Sequence, residues 1–337
     1  MVNVQSRGII LEKTTEKFET EGVFNPACIR TEDGVTHMFY RAVAKGNRST
    51  IGYCQLIDGK VANRAKKPFL VPEHDFEKHG LEDPRILKLD SLYYLFYTAF
   101  DGKSARVAYA TSANLRNFQK HGVISPEIDY DSAIQIFKKQ RLKESYEICK
   151  GICEEVGGKN MMLWDKDAFI FPKKIKGKFA LIHRIMPDIQ IAYFDDFSEL
   201  DHDYWMSYLS HLRDSIILEQ KYPFENRTMG GGCPPIETEE GWLLICHCSG
   251  FTESGVIYHA TAALLDKENP QKVLGRLDVP LFSPEVAWEN LGNVNDVVFP
   301  TGAVLVGDEL TIYYGAADER VGAKSLSIKE LLRELKK

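Results

Sequence analysis

Along most of the chain apolar and polar residues alternate in short runs, as in the stretch where Leu92, Tyr94 and Phe96 occupy every second position. That is the period of a strand with one buried face. The runs come in sets: a turn with polar residues, a strand, a Gly- or Asp-containing hairpin, an aromatic-rich strand, and a third strand. Five such sets follow one another, beginning at Asn25, at Glu82-Asp83, at Lys166-Asp167, at Gly230-Gly231-Gly232 and at Asn295-Asp296. Short strands repeated as units predict an all-β fold, a five-bladed β-propeller that takes in residues 1–337 as a single catalytic domain. Radial repetition would bring Asn25, Asp83, Lys166, the triple glycine and Asn295 together on one face, at the axis.

Three stretches leave this pattern. Residues 129–156 space Ile134, Phe137, Leu142, Tyr146, Ile148 and Ile152 among many charges, a helical insertion between sets two and three, closed by Gly157-Gly158. It is expected to cover the channel, to contact another subunit or to pack on the exterior. Residues 195–222, with Trp205, Tyr208, Leu209 and Leu212, form an aromatic linker. Near the end, Ser327 and Glu330 match a capping box, and Ile328, Leu331, Leu332 and Leu335 share one face of a helix over about 327–336.

With 337 residues, 44% of them apolar, the chain can bury a large core. A net charge of −6 with both signs interspersed offers no basic stripe for nucleic acid and points to a small polar partner. No apolar run reaches the ~18 residues of a membrane span, and the first residues lack the apolar core of a secretory signal, so a cytoplasmic protein is expected. Seven cysteines without paired C-x-x-C spacing read as reduced and buried. Cys149 and Cys153 make half a ligand set with no second half in view, so no metal is expected.

The densest candidate chemistry is Gly80-Leu81-Glu82-Asp83-Pro84-Arg85, charges at the mouth of a strand. Glu82 and Asp83 disfavour each other's ionisation while Arg85 favours both, which leaves room for one acid protonated near neutral pH. Asp101 and Asp318 add acids, Arg41, Arg48, Lys166 and Arg184 add cations, and His247 adds an imidazole. That set suits carbohydrate chemistry, in which carboxylates protonate a leaving oxygen or bind hydroxyls. Read singly, the same residues are also a turn carboxylate beside an arginine, an ion pair between blades and a core histidine. No phosphate-binding P-loop or G-x-S-x-G elbow occurs, and the triple glycine is read as close backbone passage near a ligand.

Glu82-Asp83-Pro84-Arg85, Tyr97-Thr98-Ala99-Phe100-Asp101, His183-Arg184, Gly231-Gly232-Cys233-Pro234-Pro235-Ile236-Glu237, Ala262-Ala263-Leu264-Leu265-Asp266 and Tyr314-Gly315-Ala316-Ala317-Asp318 resemble, in order, the motifs of glycoside hydrolase family 130. The resemblance implies a five-bladed propeller and an inverting phosphorylase that cleaves β-1,2- or β-1,4-linked mannosides with inorganic phosphate to α-mannose 1-phosphate, with no cofactor. Asp83 would be the general acid, acting through a hydroxyl of the mannosyl unit. Asn25, Arg41, Arg48, Glu82, Arg85, Asp101 and Asp318 would form the substrate site. Lys166, Arg184, Thr228, His247 and Tyr258 would stand at the phosphate positions, where the family has two arginines, a lysine, a histidine and a tyrosine. Here lysine loses the bidentate fork and Thr228 a charge, with Arg227 alongside to compensate. Homo-oligomers are also implied. The alternatives are an inverting β-mannosidase, with Glu237 as base at the ~6.5–9.5 Å separation of inverting pairs, and a catalytically silent glycan-binding propeller.

Overall fold

The computed structural model describes residues 2–253 and 255–337. Strand β1 (Gln5–Leu11) comes first, and the chain then runs as consecutive antiparallel units. The first is β2 (Gly22–Arg30), β3 (Thr36–Ala44), β4 (Arg48–Ile57) and β5 (Lys60–Arg64), and the second β6 (Gly80–Leu89), β7 (Leu92–Phe100), β8 (Ala105–Ser112) and β9 (Gln119–Val123). These two share one sheet only through a single parallel pair, Ser49 with Gly80.

Helices α1 (Tyr130–Lys139) and α2 (Ser145–Gly157) follow, so the insertion is two helices, broken between Gln140 and Glu144. The third unit is β10 (Lys166–Ile170), β11 (Phe179–Arg184), β12 (Ile189–Phe194) and, after α3 (His202–Ser210) and α4 (Leu212–Ser215), β13 (Ile216–Leu218). The fourth holds β14 (Thr228–Gly231) and β15 (Ile236–Thr238), both on β16 (Gly241–Thr252), then β17 (Gly255–Leu265) and β18 (Val273–Arg276). After α5 (Ala287–Asn290), the last unit is β19 (Val298–Val306), β20 (Glu309–Ala316) and β21 (Arg320–Ser327), and its fourth strand is β1. Helix α6 (Ile328–Leu335) ends the chain, with the Ser327 hydroxyl accepting from the Glu330 amide at 3.2 Å.

The cores lie between units. Ala27 and Phe39 pack with Leu81 and Leu95, Phe96 with Phe169 and Trp242, Ile245 with Ile312, and Tyr313 and Val321 with Met38 and Val23, so the last unit meets the first. Strands packed on both faces explain why β16 is buried from Gly241 to Gly250 without alternation.

Two repeated devices position the inner strands, one in three units and the other in four. One is a residue in the left-handed region where pairing slips: Asn25 (φ 47°), Asp83 (φ 49°) and Asp167 (φ 52°), each inside a register break with the next strand. Asn and Asp tolerate this conformation best among residues with a Cβ, and the bulge re-aims their side chains. The third unit is therefore set in register by Asp167, one residue after the expected Lys166.

The other device is an aromatic–glutamate pair ahead of the inner strand in four units, Phe18-Glu19, Phe76-Glu77, Phe224-Glu225 and Trp288-Glu289, with Glu19 and Glu77 six residues before Asn25 and Asp83. All four glutamates are at most 1% exposed. Glu19 accepts from Tyr40 Oη at 2.8 Å and pairs with Arg64, Glu77 accepts from Tyr97 Oη at 3.0 Å and pairs with Lys120, and Glu289 accepts from Tyr314 Oη at 2.6 Å and pairs with Lys324. Glu225 pairs with Arg276 at 2.6 Å. A buried carboxylate is tolerated because cation and hydrogen bonds replace its water.

Candidate functional site

The inner-strand bulges aim Asn25, Asp83 and Asp167 inward, and a cavity of about 240 Å³ opens there. Asn25, Arg41, Asp83, Lys166, Arg184, Thr228, Tyr258 and Asp318 line it, brought together from all five units.

Asn25 Nδ2 donates to Asp83 Oδ1 at 2.8 Å, and Arg41 Nη1 lies 3.4 Å from the same oxygen. Arg41 Nη2 donates to Glu82 Oε1 at 2.7 Å, and Lys166 Nζ stands 3.6 Å from Glu82 Oε2. Glu82 thus fixes two cations and does not line the cavity. Burial pushes the Asp83 carboxyl up, but Arg41, Lys166, Arg85 and the Asn25 amide outweigh it and leave Asp83 below the ordinary value. The acid whose proton is held near neutrality is Asp318. Burial first, then the charges of Asp83 and Glu82, outweigh Arg41 and raise it to about 6. Sequence adjacency pointed to Glu82 and Asp83, whereas the pair that matters is assembled across units.

Arg85 is wholly buried and away from the cavity wall. Nε donates to Gly232 O at 2.5 Å, Nη1 to Asp83 O at 2.7 Å and Nη2 to Gly231 O at 3.2 Å, with Asp167 Oδ1 at 3.3 Å. It ties β6 to β14 and so holds the bulge that presents Asp83. Arg48 is exposed and donates to Lys78 O, and Asp101 accepts from the amides of Lys103 and Ser104 at 2.8 and 2.7 Å. Neither lines the cavity. Arg48 makes a backbone tie and Asp101 a loop cap.

Arg184 Nε lies 2.8 Å from Asp167 Oδ2, and both Asp167 Oδ2 and Arg184 Nη1 lie 3.4 Å from His247 Nε2. Burial, joined by Arg184 and Arg85 and resisted by Asp167, lowers His247 to about 4, so its imidazole is neutral at pH 7. His247 is fully buried behind the wall, its ring tilted against Phe299 with centroids 4.0 Å apart, and its Nδ1 has no hydrogen-bond partner among the described residues. Here the glycines act: a Cβ on Gly230 would sit 2.4 Å from the His247 ring, and one on Gly231 2.7 Å from Phe169. The close passage is to the protein's own side chains.

Thr228 exchanges a hydrogen bond with Ser249 at 2.8 Å. Arg227 enters the cavity beside it, donates from Nη1 to Tyr258 Oη at 3.0 Å, and has no carboxylate partner among the described residues. Sequence reading missed Asp167 and Trp164, over whose ring Lys166 Nζ stands at 5.6 Å. Asp167 was legible in the dipeptide Lys166-Asp167, which matches Glu82-Asp83. Glu237 is 40% exposed at the side chain, paired with Lys173 and Lys267 and outside the cavity. It is not placed as a base facing Asp83.

Carboxylic acids beside guanidinium, ammonium and phenol groups in one concave cavity suit glycoside chemistry. The family model described as beta-1,4-mannooligosaccharide phosphorylase, of glycoside hydrolase family 130, matches residues 10–337. The chain belongs to glycoside hydrolase family 130. It is 32% identical over 338 residues to a 1,2-beta-oligomannan phosphorylase of Thermoanaerobacter sp., covering 97% of each chain. It is 34% identical over 340 residues to a beta-1,2-mannobiose phosphorylase of the same organism, covering 96% of this chain and 95% of that one. The fold matches the beta-1,2-mannobiose phosphorylase of Listeria innocua in complex with beta-1,2-mannobiose, with a TM-score of 0.74, 24% identity and 99% of each chain covered.

Proposed function

We propose that this chain is an inverting β-mannoside phosphorylase acting on β-1,2-linked manno-oligosaccharides, built as a five-bladed propeller around the cavity. The carrying observation is that one cavity holds Asp83, with its Asn25 and Arg41 partners, together with Arg184, Lys166 and an Arg227 that has no carboxylate partner among the described residues. A guanidinium without a counter-ion at such a wall suits a phosphate oxyanion. In this reading Arg227 takes the place of the charge absent at Thr228. Tyr258 orients it, and His247 buttresses Arg184 through Asp167. The linkage follows the two near full-length relatives.

Asn25, Arg41 and Asp318 bind the hydroxyls of the mannosyl unit, while Arg85 and Glu82 position the acid and the cations. A phosphate oxygen attacks the anomeric carbon and the glycosidic C–O bond breaks. The proton passes from Asp83 through a sugar hydroxyl to the leaving oxygen, giving α-mannose 1-phosphate and a shortened mannoside. Negative charge of the phosphate beside Lys166 offsets that lysine's pull on Asp83 and restores the proton affinity that an acid requires. Hydrolysis is disfavoured because the cations Lys166, Arg184 and Arg227 line the cavity, whereas Glu237, the base a hydrolase would use, is paired with Lys173 and Lys267 outside it. No helix of the described residues is long and apolar enough to cross a membrane, and all seven cysteines are unpaired and buried. A cytoplasmic setting, where a sugar phosphate is retained, fits both.

The test is release of mannose 1-phosphate from β-1,2-mannobiose with and without phosphate. The product is expected only with phosphate, and Asp83→Asn is expected to lower the rate by about 10²–10⁴. Free mannose formed at the same rate without phosphate would sink the phosphorylase reading.

A further inference from the structure

The helical insertion has no part in the chemistry above, yet α2 reaches the cavity. Ile152, Cys153 and Val156, at i, i+1 and i+4 on one helical face, line it. Val156 is 64% exposed and still belongs to the wall, and so does Val294, 45% exposed. Both therefore stand where the cavity meets solvent.

α2 is fixed at both ends. At the start Tyr146 Oη donates to Asp188 Oδ2 at 3.1 Å, with Gln190 Nε2 at 3.3 Å from the same hydroxyl. At its end a Cβ on Gly157 would lie 2.1 Å from Lys103 O, the carbonyl that also accepts from Trp164 Nε1 at 3.1 Å. A helix held this way presents a stationary surface.

The volume of about 240 Å³ falls below the ~300–1,000 Å³ of pockets that enclose drug-sized ligands. Asn25, Asp83 and Arg184 are at most 7% exposed, so one sugar ring and the anion fill the interior. The next sugar sits at the mouth, where the wall from α2 is apolar. We propose that Ile152 and Val156 form the acceptor-side wall: they receive the apolar face of the sugar on the reducing side of the scissile bond and set acceptor preference. The proposal rests on the mannoside reading above.

The experiment reads binding apart from turnover. In Asp83→Asn enzyme, β-1,2-mannobiose is titrated by calorimetry into the parent and into Val156→Gln and Ile152→Ala, and inorganic phosphate is titrated separately. Both substitutions leave charge unchanged, and Val156 is exposed enough that its replacement does not threaten folding. Mannobiose affinity should fall about tenfold, the scale of losing one apolar contact in a pocket. Phosphate affinity should stay within about twofold, and Val156→Ile should restore the mannobiose value. In otherwise wild-type enzyme run in the synthetic direction, the same variants should change the relative rates with mannose, glucose and mannobiose as acceptors. Mannobiose affinity and acceptor ranking unchanged in both variants would overturn the proposal. Failure of the wild type to release mannose 1-phosphate would overturn the phosphorylase reading alone, because the calorimetric comparison needs no turnover.

Discussion

Arg227→Met is the sharpest perturbation of the proposed anion site. Arg184 is a poor target, because its Nε lies 2.8 Å from buried Asp167, and its removal would strip a carboxylate of its main cation. Arg227 has no such partner: it donates to Tyr258 Oη at 3.0 Å and lies over the exposed Phe251 ring at 5.9 Å. Methionine keeps the apolar stem and removes only the charge and its donors. A hydrogen bond to a charged group contributes about 1.5–3 kcal/mol, which at 1.4 kcal/mol per tenfold is a loss of roughly 10- to 100-fold in phosphate affinity. The assay is the initial rate of mannose 1-phosphate formation over a range of phosphate concentrations at saturating mannobiose. The KM for phosphate should rise by that factor and the KM for mannobiose by less than about twofold, with Arg227→Lys in between because it keeps charge without the fork. A phosphate KM within twofold of wild type would refute the reasoning and leave the anion to Lys166 and Arg184.

Asp188, wholly buried beneath α2, is raised to about 6 by burial, against the pull of Lys143 and Tyr146. A carboxyl raised on folding stabilises the fold below its unfolded value of 3.8 and loses that contribution as pH climbs through about 6. Asp188→Asn should therefore gain stability at pH 7.5, with a ceiling of about 3 kcal/mol, and gain little at pH 4; equal gains at both pH values in urea unfolding would contradict this. Glu225→Gln leaves Arg276, 9% exposed at the side chain, without its carboxylate. Breaking such a buried pair costs about 3–5 kcal/mol, roughly 4–7 °C in Tm for a chain of this length, and a drop under about 2 °C in calorimetry would show that Glu225 does not secure its unit.

Strand alternation, the five repeats and the ordered motifs were legible in the chain because each depends on residues near one another in sequence. So were Asn25 and Asp83, near the start of the inner strands of their units, and Arg41, late in the strand that pairs with β2. Other features depend on distances between units, to which sequence spacing is blind. Arg85, one residue past Pro84, turns from its neighbouring acids to the carbonyls of Gly231 and Gly232. His247 is neutral because it is buried beside Arg184 and Arg85. Asp318, distant in sequence from Asp83, is the acid raised toward neutrality. The sequence alone determined the sheet-building units, their order and the polar residues Asn25 and Asp83 that head the first two. Only tertiary structure decided which heads meet, which charges remain unpaired and where the insertion comes to rest, because desolvation and Coulomb interactions act through space between side chains that only folding brings within a few ångströms.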